Sequence, residues 1–176
     1  MKRQLLLSAS VVLMIVGMLS LAARGGSRDP SDEITRIGTY DSRAIAVAYA
    51  TSKFNPVGEK MKAYEKAKAA GDQAAMRELE TWGAKHQQLL HMQGFGRVPV
   101  DDLLEPVRDR IAAVAADRTL DAIVMSCDFK SDQVELVDVT DDLVALYEPN
   151  EATLKTVQNI RAAKVVPLTE LTHPTP

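Results

Sequence analysis

Residues Leu120–Tyr147 read LDAIVMSCDFKSDQVELVDVTDDLVALY, and the fold class turns on this stretch. Ile123, Met125, Cys127 and Phe129 alternate with Val124, Ser126 and Asp128. That is the two-residue period of a strand with one strongly apolar face. Lys130–Gln133 has the length of a hairpin loop, and Val134–Val139 reads as the returning strand. Thr140 stands where a helix cap is needed, with Asp141 and Asp142 in the first turn, where negative charge is favourable. Two strands and a short helix in so short a run imply an α+β fold. The face formed by Ile123, Met125, Cys127 and Phe129 is large for a chain of this size and is expected to be buried where copies of the protein associate.

Upstream of this stretch, Leu103, Leu104, Val107, Ile111, Val114 and Ala115 fall on one face of a helix that Asp101 or Asp102 would cap. Pro106 is tolerable there because it lies in the first turns. Gly94–Pro99 breaks the helical pattern and reads as a loop in which Phe95 is either a plain connector or an exposed contact. Before it, Val57–Gln93 reads as two helices joined near Ala70-Gly71-Asp72, with Gly71 stopping the first and Asp72 capping the second. Met61, Tyr64, Ala67 and Ala70 on the first helix would face Met76, Leu79, Gly83, His86 and Leu90 on the second. This narrow seam suits a single partner helix, so an antiparallel helical hairpin is expected over residues 56–93. Ile37–Asp41 reads as a short strand, and Ala44, Ile45, Val47, Ala48 and Ala50 as the helix after it. Downstream, Glu151–Ala163 reads as a helix with Leu154, Val157 and Ile160 on one face, before a loose tail. The expectation is a small β body, with strands near 37–41, 120–129 and 134–139, from which the hairpin projects.

Lys2 and Arg3 precede Leu5–Ala23, a run of 19 residues without charge. A positive start and an apolar run direct a chain across a membrane, either as a cleaved signal with Ser20-Leu21-Ala22 at the cut or as a retained anchor. The positive-inside rule then places Arg24 onwards on the far side, with contact to the membrane only through this segment. Residues 24–36 form a linker containing Gly25, Gly26 and Pro30, the folded domain covers 37–163, and 164–176 is tail. The formal charge is −3, and charge is unevenly spread: Lys53–Gln93 is net +2, while Asp101–Glu151 carries 14 acidic and 4 basic residues. So acidic a segment excludes a nucleic-acid surface there, because phosphate binding needs a basic stripe.

No sequence pattern argues for catalysis, a metal or a cofactor. Neighbouring helix positions four residues apart bind zinc, whereas His86 and His91 are five apart, about 140° around a helix. Asp138, Asp141 and Asp142 are accounted for by capping. Gly94-Phe95-Gly96 lacks the third glycine of a dinucleotide fingerprint. Cys127 is the single cysteine, which excludes a disulfide within the chain; it reads as a small buried hydrophobe, with an intermolecular bridge or a reactive thiol the alternative. Trp82 is read as packing within the hairpin, with partial exposure the alternative if Gly83 occupies the seam.

The order of elements, and above all Asp138-Val139-Thr140-Asp141 with Leu143 inside Asp102–Tyr147, resembles the Skp/OmpH family of periplasmic chaperones. Ile37–Asp41 is similar to that family's opening strand, and Met61–Gln93 would be its arms, here much shortened. The resemblance implies a homo-oligomer, a trimer, whose strands form a common body and whose arms hold unfolded proteins. It places the protein in the periplasm or on the outer face of the inner membrane. The client surface would be Lys60, Lys62, Lys66, Lys68 and Trp82, and the association face Ile123, Met125, Cys127 and Phe129. The alternative is a membrane-tethered adaptor that holds one defined envelope protein.

Overall fold

The computed structural model describes residues Ile34–Leu171; the expectations placed on the N-terminal apolar run, on the linker up to Glu33 and on the last five residues lie outside them. Strand β1 (Thr35–Thr39) is the centre of a three-stranded sheet of order β2-β1-β3, with β2 at Ala122–Val124 and β3 at Val134–Asp138. Both flanking strands run parallel to β1, with Ile37 opposite Ala122 on one side and Leu136 on the other. Partners at one register position share a face of the sheet. Gly38 therefore lies with Ile123 and Val137 on the side that packs against the core, and Ile37 with Ala122 and Leu136 on the other. A Cβ on Gly38 would stand 2.8 Å from Leu120 Cδ1 and 3.1 Å from both Ile123 Cγ1 and Val139 Cγ2. Flanking side chains thus close over the middle of β1, which leaves no room for one of its own.

The expected antiparallel hairpin does not form. Residues 125–133 carry the chain from the carboxyl end of β2 back to the start of β3, and β1 lies between the two strands. A nine-residue connection can serve as a hairpin loop or a tight crossover, so its length alone does not choose between them. The strand expected over 120–129 is also cut short at Val124. Its partner β1 pairs only as far as Thr39, and the chain then turns into helix α1 (Ser42–Ala50), capped by the Asp41 carboxylate accepting from the Arg43 amide. From Met125 onward no ladder remains to join. Ile123, Met125, Cys127 and Phe129 consequently do not form one face. Ile123 packs on the core, Met125 and Cys127 are half-buried beyond the strand, and Phe129 is 84% exposed.

Helix α1 is buried almost throughout, and Ala44, Ile45, Ala46 and Ala48 let neighbours approach from several sides. After β3, helix α6 (Thr140–Ala145) brings Leu143 and Val144 against it, and helix α7 (Glu151–Ala162) adds Val157. Tyr147 completes this core edge-on to Tyr49 and Phe54, with ring centroids 6.3 and 6.1 Å away, and its hydroxyl donates to the Leu103 carbonyl at 2.7 Å. The apolar side of α7 is Thr153, Val157 and Ile160; Leu154 is 43% exposed, contrary to expectation.

Two expected side-chain caps do not form as placed. The Asp138 carboxylate, not Thr140, accepts at the start of α6, from the Thr140 amide at 2.9 Å and hydroxyl at 2.5 Å. Asp101 and Asp102 lie inside helix α4 (Asp101–Leu104), whose start has no side-chain cap, and Asp102 instead accepts from the Gln93 side chain at 2.8 Å. Pro106 divides the helix expected here into α4, a 3-10 turn (Glu105–Val107) and α5 (Arg108–Asp117), because it has no N–H to donate. Leu103 and Val107 still reach the core.

Helices α2 (Val57–Ala70) and α3 (Gln73–Phe95) form the helical hairpin. Gly71 takes the left-handed conformation at φ 70°, and the Asp72 carboxylate accepts from the Ala74 and Ala75 amides. Helix α3 runs on through Gly94 and Phe95, residues expected in a loop, and packs against α1. Part of the expected loose tail also joins the fold: the Val166 amide donates to the Phe95 carbonyl, and helix α8 (Leu168–Leu171) packs on α3.

Candidate functional site

Where the base of the hairpin meets α1 and α7, the helices enclose a groove of about 870 Å³ instead of closing on one another. Val57, Met61 and Tyr64 line it from α2, and Leu79, Trp82 and Leu90 from α3. Ala46 and Val47 of α1 and Ile160 of α7 form the remaining wall. Most of the hairpin positions are those expected to form a helix-to-helix seam. Further out, Ala67 is buried, 8% exposed, so the seam closes there, whereas Met61 nearer the base is 63% exposed.

Two glycines keep the α3 wall low. Gly83 and Gly94 both line the groove, and at 3.6 residues per turn an eleven-residue separation returns to nearly the same face. A Cβ on either would meet nothing within 4 Å. Gly83, in the helix interior, costs about 1 kcal/mol relative to alanine, so the open wall there is maintained against helix propensity.

Polar groups are few and sit around the aromatic side chains. The Lys60 ammonium lies 5.4 Å from the centroid of the Trp82 ring, whose other neighbour is the His86 imidazole, stacked at 4.7 Å and 16°. His86 Nε2 shares a 3.0 Å hydrogen bond with Asn55 Oδ1. Burial lowers the pKa of His86, opposed by the more distant Asp102 carboxylate, and so favours the neutral ring. The Tyr64 hydroxyl donates to Glu80 at 3.0 Å, which raises its pKa, with smaller contributions from burial and the charges of Glu80 and Glu65. At the far end His91 packs on Phe95, centroids 4.8 Å apart, and Phe95 is 43% exposed.

Of the residues expected to contact clients, the structure brings Lys60 and Trp82 together on this groove. Lys62 pairs with Glu59 on the outside of α2, and Lys66 and Lys68 are exposed outside the groove lining. The sequence pattern assigns Met61, Tyr64, Leu79 and Gly83 to the seam rather than to a site. The signal that could have distinguished them is Gly83 itself, which presents no side chain to fill the space between the helices. Among the described residues no group of three His, Cys, Asp or Glu stands close enough to hold a metal ion. Compared with known protein families, curated proteins and solved structures, the chain matches none.

Proposed function

We propose that this protein is an extracytoplasmic, Skp/OmpH-like polypeptide-binding protein that holds apolar segments of unfolded chains in the groove between its hairpin and its body. The groove carries the reading. Its volume is within the range of ligand-binding clefts, and it is lined mainly by apolar side chains with a few polar groups at the rim. Met61 offers an adaptable, unbranched contact, and Trp82 a broad rigid one, a pairing suited to segments of varied sequence. The apolar Leu5–Ala23 run behind Lys2 and Arg3 supports export.

We also propose that copies of the chain associate through the side of the sheet that faces away from the helices. Ile37 and Leu136 lie on that side, and the exposed Ile34 and Phe129 flank it in sequence. Ile123, placed on the association face from the sequence, packs against the core of its own chain instead. A trimer is the state that the resemblance implies. Sedimentation of wild type and Leu136→Asp tests this directly, since a charge forced out of water costs several kcal/mol. Wild-type protein that sediments as a monomer would remove the proposal.

The function itself is tested by aggregation of an unfolded outer-membrane β-barrel protein diluted from denaturant. Wild-type protein is expected to suppress aggregation, and Met61→Glu to do so poorly, because Met61 is 63% exposed and its replacement leaves the fold intact. Equal protection by both proteins would move the site elsewhere. No protection by either, with capture of a single folded envelope protein, would favour an adaptor.

A further inference from the structure

The carboxyl ends of the three parallel strands open onto a second pocket, of about 430 Å³, which shares no residue with the apolar groove. Thr39 and Tyr40 leave β1 here, Met125 and Cys127 follow β2, and Asp138 closes β3. In parallel sheets this edge is where ligands commonly bind, because the strands end together and the connections splay apart.

Three guanidinium groups from separate parts of the chain line this pocket. Arg43 is 3% exposed and held rigidly, with Nε and Nη2 on the two Asp41 oxygens at 3.0 and 2.6 Å and Nη1 on the Ala163 carbonyl at 2.9 Å. Arg161 bridges Asp138 at 2.5 Å and Asp141 at 2.7 Å, using two of its five N–H donors. Burial alone would raise the Asp138 pKa, but its hydrogen bonds from Thr140 and the charge of Arg161 outweigh that and lower it. Arg97 is different. It is exposed, and among the described residues it has no hydrogen bond or ion pair.

Asp41 pairs with Arg43, and Asp138 and Asp141 with Arg161, so the charges balance and Arg97 alone has no carboxylate partner among the described residues. The pocket sits in a body whose Asp101–Glu151 segment alone has 14 acidic and 4 basic residues. A free guanidinium beside two already anchored ones is suited to an oxyanion, which planar N–H donors bind in pairs. Met125 and Leu136 add an apolar patch to the same pocket.

We propose that this pocket binds a small organic anion, with a carboxylate or phosphate head on Arg97 and a short apolar body against Met125. The site is independent of the polypeptide-binding groove. Cys127 lines the pocket as well and serves as a reporter, because an occupant should shield its thiol from iodoacetamide.

The test is calorimetric titration of the full-length protein with phenyl phosphate, benzoate and inorganic phosphate, alongside the rate of Cys127 alkylation. Phenyl phosphate or benzoate is expected to bind and to slow alkylation, and whichever binds more tightly identifies the head group. Arg97→Gln should weaken binding about tenfold, the loss of a charge-assisted pair. Arg77→Gln on the hairpin makes the same charge change outside the pocket and should alter affinity less than about twofold. Absence of binding by all three probes at about 10 mM would overturn the proposal. Equal weakening by both substitutions would also overturn it, by showing only diffuse attraction. Inorganic phosphate binding as tightly as phenyl phosphate would overturn the apolar half of the assignment.

Discussion

Replacing Gly83 by leucine should make the protein more stable and a worse binder. A Cβ at this position meets nothing within 4 Å and the position lines the groove, so the leucine side chain extends into the groove's space. Exchanging a mid-helix glycine for leucine recovers about 0.8 kcal/mol of helix propensity, which for a domain of this size raises Tm by roughly 3 °C. The same side chain takes the place of one apolar anchor of a bound segment, worth about 1.5–3 kcal/mol, or roughly tenfold to hundredfold in affinity. Trp82 lines the groove and is the only tryptophan, so its emission reports occupancy in a titration with an apolar, uncharged peptide. Gly83→Ala provides the intermediate case, gaining the stability while leaving most of the groove open. A leucine variant that melts higher yet binds the peptide as tightly as wild type would refute the groove as the binding site. One that melts lower would show that the space beside Gly83 is not open.

Three further outcomes test the fold and its titration. Tyr147→Phe should cost about 1–2 kcal/mol in urea unfolding, because the buried Leu103 carbonyl loses its donor, and an unchanged midpoint would show that this bond contributes nothing. Burial holds the His86 pKa below its ordinary 6.5, so the unfolded chain takes up the proton first as pH falls. The stability contributed by the neutral ring is present above pH 6.5 and lost as pH falls through the lower, folded value. His86→Gln should therefore flatten the dependence of Tm on pH between about 7 and 5, and a slope equal to wild type would count against it. Gly38→Val should destabilise by about 1–3 kcal/mol through its contacts with Leu120, Ile123 and Val139, and Gly38→Ala by less, since Leu120 Cδ1 can move aside. Equal melting of both variants and wild type would contradict the close packing over β1.

The helical hairpin was legible because its instructions are local. Gly71 supplies the left-handed turn, and Asp72 caps amides only two and three residues away. Caps differ from the local expectation where a competing group stands nearby. Asp138 lies two residues before Thr140 and reaches its amide, while Gln93, nine residues before Asp102, takes that carboxylate. The free Arg97 gave no pattern at all, since its companions Arg43 and Arg161 come from helices far away in the chain.

Local signals place the helical hairpin, α1, α7 and the regions of the three strands, because backbone preference and side-chain period act within a few residues; they do not show where β2 stops or that α3 continues through Phe95. What those segments face is set by packing between elements distant in the chain. Strand β1, remote in sequence, takes both positions that β2 and β3 would have offered each other, which makes the sheet parallel and ends β2 at Val124. The seam residues likewise announce an apolar stripe but not the distance to its cover. That distance is set by the packing of α1 and α7 against the hairpin base, and it turns part of the expected seam into a groove. Burial energy rewards any apolar neighbour alike, so the choice of neighbour, and of what remains uncovered, belongs to the whole fold.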